Sequence, residues 1–148
     1  MDRYISPPIE LTAAQSRRSF RRADVVFYDV DARGASYVAR LFLDVPGEPP
    51  DTSPTREKGY AGFFCIFGHG GCFGDEGHCE VPPARDPFDL GPPHALTPQV
   101  KLVDITTQLK SMSGETISLT VLATSPAREG PTLVNALEFT SLRLLTYD

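Results

Sequence analysis

The sequence predicts an all-β fold: an antiparallel β-sandwich of jelly-roll type with long Pro-rich loops and one short helix. Three observations carry this. Apolar side chains recur in short runs of strand length, several with a period of two. Proline (14) and glycine (12) punctuate the chain between those runs, and there is no tryptophan. One segment alone combines helix-start chemistry with an inward-facing leucine. At 148 residues the chain is one domain by length, enough to bury about two thirds of its unfolded surface.

Residues 1–22 open as an extended N-terminal arm, polar and broken by Pro7-Pro8, ahead of a β-sandwich domain over 23–148. The basic patch Arg17, Arg18, Arg21 and Arg22 beside Asp24 reads as a solvated lead-in to the first strand. Residues 24–30 are apolar and aromatic at strand density, Asp31-Ala32-Arg33-Gly34 is a turn, and 36–45 alternate Tyr37, Ala39, Leu41 and Leu43 with Val38, Arg40 and Phe42. Those two runs make a hairpin candidate. Residues 46–58 (PGEPPDTSPTREK) are a Pro-rich loop that no regular element crosses. A strand follows over 60–67, then a glycine-rich outlet, then loop again over 80–99. Residues 100–103 resume as strand, and 104–110 form the helix, with Asp104 or Thr106 as N-cap. In 116–124, Ile117, Leu119 and Val121 point to the core and Thr116, Ser118 and Thr120 away from it. One or two closing strands run through Leu137, Phe139, Leu142 and Leu144.

Charge and hydropathy exclude some function classes. A net charge of -5 argues against nucleic acid or an anionic membrane as main partner. No apolar run approaches the ~20 residues that span a bilayer, and residues 1–22 lack a signal-peptide core. The expectation is a cytoplasmic protein, with export beside a partner, or origin as a fragment, as the alternatives. No nucleophile elbow, phosphate loop or dinucleotide fingerprint is present, so no catalytic residue is assigned.

Chemistry concentrates in residues 59–80, GYAGFFCIFGHGGCFGDEGHCE. All three cysteines (Cys65, Cys72, Cys79) lie there with two of the three histidines, His69 and His78. Imidazole and thiolate suit zinc and copper(I), which accept borderline and soft donors in tetrahedral geometry. His69-x-x-Cys72 lets two ligands from one tight turn reach one ion, and glycines 68, 70, 71, 74 and 77 let the second pair fold back. In an extended segment adjacent His78 and Cys79 would point apart, so only one of them would join, and Cys65 would complete a set with His69, Cys72 and Cys79. The competing readings are a Cys72–Cys79 disulfide, or cysteines that are small buried hydrophobes, with Cys65 as plain core. Asp75-Glu76 reads as a solvated turn and His94 as a surface-loop histidine.

Strand order adds a resemblance. The succession ADVVFYDVD, GYAGFFCIFGHGG, VDITTQLKSM, ETISLTVLATS and LVNALEFTSLRLL resembles the β-sandwich accessory domain that follows the catalytic domain in the tyrosinase and polyphenol oxidase family. Tyr60-Ala61-Gly62-Phe63-Phe64 matches that domain's "F-A-G-x-F" strand, with Phe67-Gly68-His69-Gly70-Gly71 in place of its Val-Pro-His turn, and the resemblance spans residues 23–147. The family's dicopper site is held by histidines on helices of the catalytic domain; this chain has three histidines in all. The resemblance therefore implies a non-catalytic lid, stabiliser or copper-handling module for a tyrosinase-like copper oxidase partner. The reading from residues alone is a small stand-alone zinc or copper protein, or metalloenzyme, with its Cys/His site in residues 65–79.

Overall fold

The computed structural model describes residues 2–44, 59–70, 74–81, 88, 90, 91, 94–124 and 136–148. Two antiparallel sheets arise where the apolar alternation falls. The first has strand order β1 (Asp2–Ile5), β8 (Leu119–Thr124), β4 (Tyr37–Leu43) and β5 (Tyr60–Ile66). The second has β3 (Arg22–Val30) at its centre, flanked by β6 (Gln99–Asp104) and β9 (Ser141–Tyr147). A two-strand ladder joins β2 (Ile9–Glu10) to β7 (Thr116–Ile117). The all-β antiparallel class expected from the sequence is the one observed, with two short helices among the described residues, α1 (Ala13–Ser16) and α2 (Thr106–Ser111), rather than one.

Inward-facing side chains of both sheets meet in one core. Ala23, Val25 and Phe27 come from β3, Tyr37, Ala39, Leu41 and Leu43 from β4, Phe64 and Ile66 from β5, and Leu119, Val121 and Ala123 from β8. Each set steps by two residues, since alternate side chains of a pleated strand share one face. Ile117, Leu119 and Val121 are buried as expected; Thr116 is exposed, Ser118 half-buried, and Thr120 buried on the outer side. Phe27 bridges the layers, 5.1 Å from the Phe64 ring and 5.2 Å from that of Phe139. Gly62 permits the close approach of β6, since a Cβ there would lie 2.5 Å from Val103 Cγ1.

Four local expectations are corrected. The β3 and β4 runs do not form a hairpin: both flanks of β3 are taken by β6 and β9, and both flanks of β4 by β8 and β5. Residues 31–36 instead carry the chain from one sheet to the other. The N-terminal arm is extended over β1 and β2, but as strands paired to β8 and β7. It also holds α1, started by a Thr12–Gln15 capping box in which Gln15 Oε1 accepts from the Thr12 N–H at 2.9 Å. The arginine patch is partly structural, because Arg18 donates to the carbonyls of Gln15, Met112 and Gly114 and Arg22 pairs with buried Asp24. α2 lies where the helix was expected, yet its N-cap is Ile105. Asp104 Oδ1 accepts the Thr106 N–H, and Thr106 Oγ1 takes the Ala23 N–H, tying α2 to β3.

Candidate metal centre

The site is assembled on the turn that crosses between the sheets. Asp31 accepts from the Arg33 guanidinium at 2.7 and 2.9 Å and from the Arg33 backbone N–H at 2.8 Å, while its own N–H donates to Glu138 O. With that turn fixed, the segment leaving β5 docks against it. Gly68 N donates to Ser36 Oγ at 3.0 Å, His69 N to Ala32 O at 3.0 Å and Gly70 N to Gly34 O at 2.9 Å. Gly68 has to be glycine at this approach, because a Cβ would clash with the Gly34 carbonyl oxygen and lie 2.6 Å from that of Ala35. The docking hydrogen bonds fix where His69 leaves the sheet.

The Arg33 guanidinium, through its hydrogen bonds, holds the Asp31 carboxyl below the ordinary carboxylate range, against the opposing effect of burial. A folded value below the unfolded one gives stability that is present above the ordinary Asp value and lost as pH falls through the folded value. Arg33 is largely exposed, so solvent screening keeps the pair's contribution small. Asp31→Asn is expected to lower stability slightly at pH 7. In urea melts the difference from the parent should vanish well below about pH 4; an equal difference at both pH values would contradict the pairing.

Residues 74–80 form a compact turn, with His78 N donating to Asp75 O and Glu80 N to Gly77 O, both at 3.0 Å. Gly77 takes φ 83°, in the left-handed region. The turn carries the His78 ring back over Gly74 and to within 5.3 Å, centroid to centroid, of the His69 ring. One ligand atom each from His69, His78 and Cys79 then lies within 4.8 Å of the others. Both histidines are exposed and Cys79 is half-buried. Ligand atoms around a tetrahedral zinc stand about 3.3–3.8 Å apart, given its bond lengths of roughly 2.0–2.3 Å. Closing from the present spacing takes a shift of about an ångström, within reach of side-chain rotation in an exposed turn. This cluster could therefore bind a metal.

Sulfur chemistry constrains that statement. Cys79 is disulfide-bonded, whereas Cys65 is a free thiol. A bridged sulfur carries no thiolate charge and is a poor ligand, so the cluster offers two imidazoles while the bridge stands and gains a third donor when it is reduced.

Of the five sequence candidates, His69, His78 and Cys79 come together. His78 and Cys79 do not diverge as in a strand, because residues 75–79 turn rather than extend. Cys65 is half-buried on the outer side of β5, outside both the core cluster and the ligand group. Cys72 lies outside the described residues. His94 holds a turn of its own, with Nδ1 accepting from Leu96 N at 3.2 Å, and Asp75-Glu76 are exposed. Sequence reasoning missed Asp31, Arg33 and Ser36 as the platform of the site; the Asp-x-Arg spacing just ahead of a serine was the available signal. It also missed Tyr37, whose buried hydroxyl has no hydrogen-bond partner among the described residues and is pushed up chiefly by that burial.

No protein family, curated protein or solved structure matches this chain. Among the described residues no helix is long and apolar enough to cross a membrane.

Proposed function

We propose that this β-sandwich is a metal-binding domain for zinc or copper(I), with His69 and His78 as imidazole ligands and Cys79 as the sulfur ligand. The observation that carries the reading is the convergence of those three side chains within 4.8 Å, from a sheet outlet and a separate turn. Two borderline nitrogens and one soft sulfur favour these ions over calcium or magnesium, which want oxygen ligands. A tyrosinase-like copper oxidase as the partner rests on the strand-order resemblance alone and is no part of this proposal.

Zinc titration of the fully reduced chain, in competition with a chromophoric chelator, tests it. One equivalent of zinc is expected to bind. His69→Ala and His78→Ala should each weaken binding by more than about 100-fold, beyond what loss of an outer-shell partner costs. Absence of zinc uptake by the reduced chain, or histidine variants that bind like the parent, would overturn the reading.

A further inference from the structure

We infer that the metal site is gated by the oxidation state of Cys79, so that zinc is held after reduction of its bridge and released on re-oxidation. The inference rests on the reading of His69, His78 and Cys79 as ligands. The bonded state of Cys79 and the ligand convergence are two separate observations about one sulfur. Geometry keeps that sulfur beside both imidazoles, and its bond withholds the charge that zinc needs. Oxidised, the site is a pair of exposed imidazoles whose remaining positions fall to water. Reduced, it adds a thiolate within reach of the same point, and a thiolate on zinc binds far more strongly than water.

The step balances as a thiol–disulfide exchange. A thiolate of an external dithiol attacks the Cys79 bridge, the S–S bond breaks through a mixed disulfide, and the second external thiol resolves it. Two electrons pass from the dithiol, which becomes a disulfide, and two protons end on the two sulfurs that the broken bond frees. Zinc then displaces the proton of the Cys79 thiol to the buffer as the Zn–S bond forms. A low-molecular-weight disulfide runs the exchange backwards and expels the metal. Cys79 is half-buried with exposed neighbours on both sides, so a reductant can approach it. Cys65 stands outside the ligand group and takes no part.

The experiment compares zinc affinity of the full chain in two forms, by chelator competition under anaerobic conditions. One form is unreduced, with the Cys79 bridge intact. The other has been reduced with a phosphine and freed of it. The reduced form is expected to bind one zinc more than about 100-fold tighter, and a small-molecule disulfide should release it. Cys65→Ser should keep the switch in full, and Cys79→Ser should bind weakly whether or not phosphine was used. Equal affinity of the two forms, with zinc bound tightly by both, overturns the gating and leaves the metal site standing. Failure of both forms to bind overturns the gating together with the metal site. Should Cys79→Ser not fold, persistence of the two-form difference in Cys65→Ser decides the case, and its loss there overturns assignment of the switch to Cys79.

Discussion

Truncating Phe27 to alanine is expected to destabilise the domain by about 3–5 kcal/mol, the range for removing a fully buried phenylalanine. Phe27 has no solvent exposure and sits at the centre of β3, the middle strand of its sheet. Its ring meets Phe64 from the opposite sheet and Phe139 from the segment before β9. Alanine would remove both aromatic contacts and leave a cavity between two sheets that cannot collapse onto it without moving backbone. Against a total stability of about 5–15 kcal/mol, such a loss is a large fraction. Urea unfolding should show a lower midpoint with an unchanged slope. Phe63, 56% exposed one position before Phe64, is the control: Phe63→Ala should stay within about 0.5 kcal/mol. A Phe27→Ala loss no larger than that of Phe63→Ala would mean that the sheets do not meet at Phe27.

Gly68→Ala is expected to be nearly as damaging locally, and to act on the metal site. The added methyl would meet carbonyl groups of Gly34 and Ala35, and backbone cannot swing aside as a long side chain does. Either the 31–36 turn or the β5 outlet must shift. The shift would break the hydrogen bonds from Gly68, His69 and Gly70 to Ser36, Ala32 and Gly34. A loss of about 2–3 kcal/mol is expected, the upper part of the overpacking range. Zinc affinity of the reduced chain should fall with it, since His69 loses its anchor. Gly34→Ala makes the contrast: nothing lies within 4 Å of a Cβ there, so it should be neutral or stabilising by about 0.4–1 kcal/mol. Equal stability of the two variants would show that the outlet does not dock on the turn.

The β class was legible because core-facing Ile117, Leu119 and Val121 alternate with Ser118 and Thr120, so a period of two survives in the sequence even where Thr120 is buried too. Pairing was not. Residues 31–34 carry the same turn chemistry whether the chain folds back beside its own strand or crosses to another sheet. Distant partners, β6 and β9, decide between the two. β3 hid its inner face as well, since outward-facing Asp24 and Val26 are as buried as Val25. At the site, the residue types pointed to metal chemistry while the geometry did not follow from spacing. His78 and Cys79 are adjacent, and only the turn closed at Gly77 brings both toward His69. Cys65 looked like core because its neighbours are apolar, but on β5 the buried positions are Phe64 and Ile66, and Cys65 lies between them in the opposite phase.

The order of strands in the two sheets also sets when the protein can fold. Among the described residues β1 pairs only with β8, which begins at residue 119, and one flank of β3 stays bare until β9, ending at residue 147, has been made. An emerging chain thus pairs β4 with β5 and β3 with β6 before β8 and β9 cover the remaining flanks. Sheets whose closing contacts span most of the sequence belong to the slow folders, in the millisecond-to-second range. Such exposed edges are the ones that aggregate while they wait. Completion of both sheets therefore waits on residues 119–147, which supply the last strand of each.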